Sequence, residues 1–143
     1  MTKFAQGVYS VTNTEKYVGI KAPRYRSSWE WHFMNFCDHN SHILQWASES
    51  ITIPYKNPIT GKNTVYVPDF LITYQNSAGK MIAELIEIKP RKQSVIEGKM
   101  SERDRMVIAI NYAKWDMATK WARRNGMTFR VINEQDIFRN GKS

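Results

Sequence analysis

The stretch from Gln45 to Lys89 constrains the fold most. It holds three segments rich in β-branched and aromatic residues: QWASESITIPY (45–55), TVYVPDFLITY (64–74) and MIAELIEIK (81–89). Only KNPITGKN (56–63) and QNSAGK (75–80) separate them, and both are turn chemistry. Parallel neighbours need a crossover of a dozen or more residues, so connections this short make an antiparallel meander. Pro54 places the end of the first segment at a sheet edge or strand exit, and Pro90 stops the third.

A helix is predicted on either side. Over 27–39, Ser27 or Ser28 is the N-cap, and Trp29, Phe33, Phe36, Cys37 and Asn40 share one face before Asn40-Ser41 ends the run. Over 101–125, Ser101 caps, Glu102 and Asp104 occupy the first turn, and Met106, Ile110, Ala113, Met117 and Trp121 form the stripe. Arg123 and Arg124 close it, with Gly126 just beyond. Thr128 to Ile132 follows this crossover helix and should lie parallel to an earlier strand. Residues 134–138 read as a last helical turn. Residues 1 to about 24 read as an irregular arm, with Lys16, Lys21, Arg24 and Arg26 towards its basic end. The expected class is α/β: a mixed sheet flanked by helices, in the order helix, three strands, helix, strand.

A chain of 143 residues matches one domain with a full core. The net charge of +8 points to polyanionic partners, nucleic acid before an anionic membrane. Cys37 is alone, so a disulfide within the chain and a cysteine-based zinc site are both excluded. No apolar run approaches the ~20 residues of a membrane span, and residues 1–10 lack a signal-peptide core. A soluble protein of a reducing cytoplasm is expected.

Chemistry concentrates at three positions. Asp69 reads as mid-strand, within Val67-Pro68-Asp69-Phe70, and Glu87 and Lys89 lie near the end of the next strand. Side chains alternate along a strand, so Glu87 and Lys89 point the same way. A hairpin between the two strands brings Asp69 beside Glu87. Two adjacent carboxylates repel, and burial makes this worse. A divalent cation removes the conflict: Mg²⁺ takes hard oxygen ligands from one or two carboxylates, phosphate oxygens and waters. Lys89 adds a cation beside the reacting phosphate. Taken singly, Asp69 fits a turn and Glu87 with Lys89 a solvated strand face. On neighbouring strands joined by one turn, they converge. Glu84 falls on the other face and reads as a solvated or edge charge.

A helix carrying Glu30, then Pro68-Asp69, then Glu87-Ile88-Lys89, then a helix and a strand resembles the PD-(D/E)xK nuclease superfamily, whose core is αβββαβ. Within it, Tyr25-Arg26-Ser27-Ser28-Trp29-Glu30 with Phe33, and Glu87-Ile88-Lys89-Pro90, resemble two groups. These are the TnsA-type transposon endonuclease subunits and the small head completion proteins of T4-like tailed phages. The length favours the second group, because TnsA-type subunits carry a further C-terminal domain. Position 87 is Glu where the TnsA group can carry Gln. The resemblance implies a DNA endonuclease with Glu30, Asp69, Glu87 and Lys89 as catalytic residues. Its cofactor would be Mg²⁺, with Mn²⁺ as a substitute, held by Glu30, Asp69, Glu87 and the backbone carbonyl of Ile88. The products would be a 5′-phosphate and a 3′-hydroxyl. It also implies action late in virion assembly, in the host cytoplasm or the virion, with portal or neck proteins as partners. Cutting both strands with one site calls for a homodimer. Two alternatives stay open: a structural head completion protein that docks on portal or DNA, and a repair or recombination nuclease.

Basic residues near the motif are candidate DNA contacts: Arg24, Arg26, Arg91, Lys92 and Lys114. An ordinary charged face accounts equally for Lys99, Arg103, Arg105 and Lys120. Gln93 reads as a surface residue. His32, His39 and His42 have no metal-ligand spacing. Trp29, Phe33, Phe36, Trp115 and Trp121 read as core, and Trp31 and Trp46 fit either role. No base-reading motif is visible.

Overall fold

The computed structural model describes residues 6–94 and 98–136. Its elements are β1 (Gly7–Val8), β2 (Arg24–Tyr25), α1 (Ser28–His39), β3 (Ile43–Ser48), β4 (Ile53–Lys56), β5 (Asn63–Tyr66), β6 (Phe70–Gln75), β7 (Met81–Ile88), a 3₁₀ turn (Arg91–Gln93), α2 (Glu102–Arg124) and β8 (Thr128–Ile132). The central sheet has the order β3-β6-β7-β8. Its first two pairings are antiparallel and β7–β8 is parallel, as a crossover through α2 requires. This is the mixed, helix-flanked sheet of a restriction-endonuclease-like fold.

The first two sequence segments each break in two. Residues 45–55 divide into β3 and β4, and 64–74 into β5 and β6, so that β4 and β5 pair as a separate hairpin. The last pair in the central sheet is Ser48 with Phe70, and the first in the hairpin is Ile53 with Tyr66. Pro68 lies fully buried in the break and has no N–H to give a ladder. Glu49 turns the facing strand with a φ of 49°, and its N–H donates to the Asp69 carbonyl at 2.9 Å. Asp69 therefore lies in the bend just before β6 instead of sitting mid-strand. Pro68 is the one sequence signal of this bend in an otherwise strand-forming run.

Alternation along β7 divides the core. Ile86 and Ile88 join Phe33, Met34, Cys37, Trp46, Phe70 and Ile72 beneath α1. Leu85 points the other way, to Ile53, Tyr55, Tyr66, Trp115, Ala118 and Ala122 beneath α2 and the hairpin. Trp46 is fully buried, which settles its role as core. Glu84 is no solvated charge: it is 9% exposed, accepting from Thr128 Oγ1 at 3.2 Å and Arg130 Nη2 at 3.1 Å.

The buried centre of α1 is Phe33, Met34, Cys37 and Asp38, with Trp29 and Phe36 only partly buried at its margins. The stripe is turned because residues 6–25 cover one side of the helix. Apart from β1 and β2 their backbone is irregular, yet side chains fix it against the helix. Asp38 accepts from Thr12 N at 2.8 Å, Asn13 N at 2.9 Å and Tyr9 Oη at 2.9 Å. Lys16 Nζ donates to the carbonyls of Asp38 and Asn40 at the end of α1, where a cation suits the helix dipole. Val18 N donates to Trp46 O at 2.9 Å and Trp46 N to Lys16 O at 3.0 Å, so the arm lies along β3 and covers that edge of the sheet. Residues 134–136 begin the helical turn expected over 134–138; the rest of it lies outside the described residues.

Candidate active site

Three carboxylates meet where β6 begins and β7 ends. Phe70 pairs with Ile86, so Asp69, one residue before the ladder, comes opposite Glu87. Asp69 Oδ2 accepts the Ile88 N–H at 2.8 Å, which ties the two strand ends together. Glu30 arrives from α1. Ser27 caps that helix by accepting the Glu30 N–H at 3.2 Å, and Glu30 Oε1 in turn accepts the Arg26 N–H at 3.0 Å. Glu87 is 5% exposed. Its Oε1 accepts from Tyr66 Oη at 2.7 Å, and its Oε2 lies 3.5 Å from Lys89 Nζ.

The acids hold their protons more tightly than free carboxylates. Burial, followed by the charges of Glu87 and Glu30, raises Asp69 well above the ordinary range. Burial also raises Glu30, helped by Glu87 and Glu49. For Glu87, burial outweighs the opposing pull of Tyr66, Lys89 and Lys114. Such a cluster is short of positive charge, and this is the condition that a divalent cation relieves. Hard carboxylate oxygens suit Mg²⁺ or Mn²⁺. Among the described residues, no group of three or more His, Cys, Asp or Glu side chains is placed to hold a metal ion by itself. The donor chemistry fits a hard cation, while the three acids stand open.

Lys114 reaches the cluster from α2. Its Nζ lies 5.9 Å from the Tyr55 ring centroid and 5.7 Å from that of Tyr66, both within cation–π range. Burial and the nearby Lys89 lower its pKa, while Glu87 and Asp69 pull it up. Arg26, on the opposite side, pairs through Nε with Glu49 Oε2 at 3.0 Å and also feels the charges of Glu30 and Asp69. Arg24 is exposed on β2. Arg91 is exposed, and its N–H donates to Glu134 Oε1 at 2.9 Å. Lys92 shares that turn, with its side chain outside the described portion. His32, His39 and His42 are exposed and join no metal-binding group among the described residues.

Sequence reasoning passed over two residues here. Tyr66 looks like any core tyrosine in a strand-forming run; its only signal is its place three residues before Asp69. Glu49 carries no signal, because a left-handed glutamate cannot be read from composition.

The fold and the order of its acids and lysine define a PD-(D/E)xK-type nuclease domain. The chain belongs to the TnsA-like endonuclease family, whose N-terminal model matches residues 40–134. It is 31% identical over 142 residues to the head completion nuclease of Enterobacteria phage T4, covering 92% of each chain. The family match takes in Asp69, Glu87 and Lys89 and begins after Glu30. Among the described residues, no helix is long and apolar enough to cross a membrane.

Proposed function

We propose that this protein is a metal-dependent DNA endonuclease that acts when phage heads are completed. The observation that carries the reading is the meeting of part-buried Asp69 and buried Glu87 with Lys89 at one strand end, inside the matched endonuclease region. Glu30, Asp69, Glu87 and the carbonyl of Ile88 would hold Mg²⁺ or Mn²⁺. That ion supplies a Lewis acid for the scissile phosphate.

The chain's own groups do the rest. Lys89 sets a cation against Glu87 and beside the phosphate, where developing charge is stabilised without reorganisation. Lys114, half-buried over two rings, holds a second positive charge on the α2 side. Arg24, Arg26, Arg91 and Lys92 contact flanking phosphates, giving affinity without sequence choice. The similarity to a head completion nuclease supports a phage role. The working place would be the host cytoplasm or the virion, with portal or neck proteins as neighbours and a second copy for double-strand cuts.

The test is nicking of supercoiled plasmid with Mg²⁺ or Mn²⁺, wild type beside Asp69→Ala and Lys89→Ala. Cleavage that needs metal and is lost in both variants is the expected result. A folded wild type that cuts neither plasmid nor branched DNA would overturn the reading in favour of a docking module.

A further inference from the structure

Tyr66 is not on the central sheet. It ends β5 in the separate hairpin, yet its hydroxyl reaches back to Glu87 Oε1 at 2.7 Å, in a position 5% exposed. The ring is held on two sides. Phe129 of β8 meets it edge-on, with centroids 6.5 Å apart and planes at 81°, and Lys114 Nζ lies 5.7 Å from its centroid. In that bond the phenol is the donor and the carboxylate oxygen the acceptor. One short segment, Tyr66-Val67-Pro68-Asp69, thus supplies an acid of the site and the group bonded to the facing acid. Pro68 at its centre is fully buried.

We propose that Tyr66 is a positioning residue for Glu87: its hydroxyl occupies Oε1 and leaves Oε2, beside Lys89, as the one oxygen Glu87 offers to a metal. This deepens the metal-dependent reading above and rests on it. A carboxylate with one oxygen committed is a one-point ligand. That suits Mg²⁺ and Mn²⁺, which take near-octahedral sites, more than Ca²⁺, which accepts both oxygens of a carboxylate. Hydrogen-bond partners behind a ligand typically change metal affinity by about 10–100-fold.

The experiment is Mn²⁺ binding followed by loss of the free-ion electron paramagnetic resonance signal, which needs no turnover. Tyr66→Phe keeps the ring and removes only the hydroxyl. The expected result is a variant that melts near wild type, binds Mn²⁺ about tenfold more weakly, and discriminates less against Ca²⁺. In a Glu87→Gln background the same change should cost nothing further, because Tyr66 acts only through Glu87. A Kd within about twofold of wild type, or a tenfold loss that persists in the Glu87→Gln background, overturns the proposal. A second measurement uses wild type alone: the Tyr66 hydroxyl proton should stay hydrogen-bonded and visible by NMR after Mg²⁺ saturation. Its loss on adding Mg²⁺ would mean that the metal takes Oε1, and the proposal fails. A wild type that binds no Mn²⁺ overturns the metal reading, and this inference with it.

Discussion

Two aspartates, the fully buried Asp38 and the part-buried Asp69, receive opposite treatment. Burial works against the charge of Asp38, but the N–H groups of Thr12 and Asn13 and the Tyr9 hydroxyl outweigh it, and the carboxyl is held below its usual range. Asp69 has one N–H, from Ile88, and faces Glu87 and Glu30; its carboxyl is driven well up. One acid is satisfied and clasps the arm to α1. The other is left wanting a cation. Charge alone therefore does not mark a candidate site acid, whereas the shortage of partners around it does.

The strongest way to break this contrast is at the poorly satisfied acid. Asp69→Asn and Lys89→Ala should each lower nicking about 10³-fold with unchanged circular dichroism, since the first removes a carboxylate that would hold the metal and the second the cation beside the reacting phosphate. Activity near wild type in either would detach the cluster from the chemistry. Next comes the clasp. Asp38→Ala strands the buried Tyr9 hydroxyl and two part-buried N–H donors and should cost about 3 kcal/mol in urea unfolding. A loss under ~1 kcal/mol would mean that the arm contributes little.

Acid titration sharpens the comparison, because the two signs differ. The folded pKa of Asp38 is lowered, so its contribution is present above the unfolded value near ~4 and fades as pH falls through the folded one. For Asp69 the folded value is raised. Its stability is whole below ~4 and is lost as pH rises towards the folded value. In metal-free buffer at pH 7, Asp69→Asn should therefore raise Tm by on the order of 3 °C, equivalent to about 1 kcal/mol. The gain should shrink at pH 4 and be masked by saturating Mn²⁺. A destabilised Asp69→Asn at pH 7 would contradict the assignment.

The smallest effect belongs to the rim. The Arg26–Glu49 pair is open to solvent on the arginine side, 57% exposed, so Glu49→Gln should change stability by under ~1 kcal/mol. It should free Arg26 for phosphate. Arg26→Ala should lower the slope of log K against log salt by about one. An unchanged slope would remove Arg26 from the DNA contacts.

These contrasts also show what a sequence can display. Asp69, Glu87 and Lys89 were legible because strand parity and a short turn leave few ways to arrange them. Glu30 came through resemblance, and its helix cap then placed it. The bend at Pro68 and Glu49 was missed, since the strand formers on both sides of Pro68-Asp69 masked the one breaker signal in Thr64 to Tyr74. Asp38 gave no signal, because its partners, Tyr9, Thr12 and Asn13, lie 25–29 positions away. Tyr66 was concealed by chemistry that serves a core as well as a site.

The clasp bears on how the chain is made. Tyr9 leaves the ribosome 29 residues before Asp38, and Lys16 before Trp46. At about 5–20 residues per second, the arm waits some 1.5–6 s for the groups that hold it. During that interval its tyrosines are bare, and β3, once made, has an open edge until the arm folds back. Slower translation between Tyr17 and Trp46 would lengthen that exposure, so synonymous codon changes there could alter the yield of folded protein without changing a single contact.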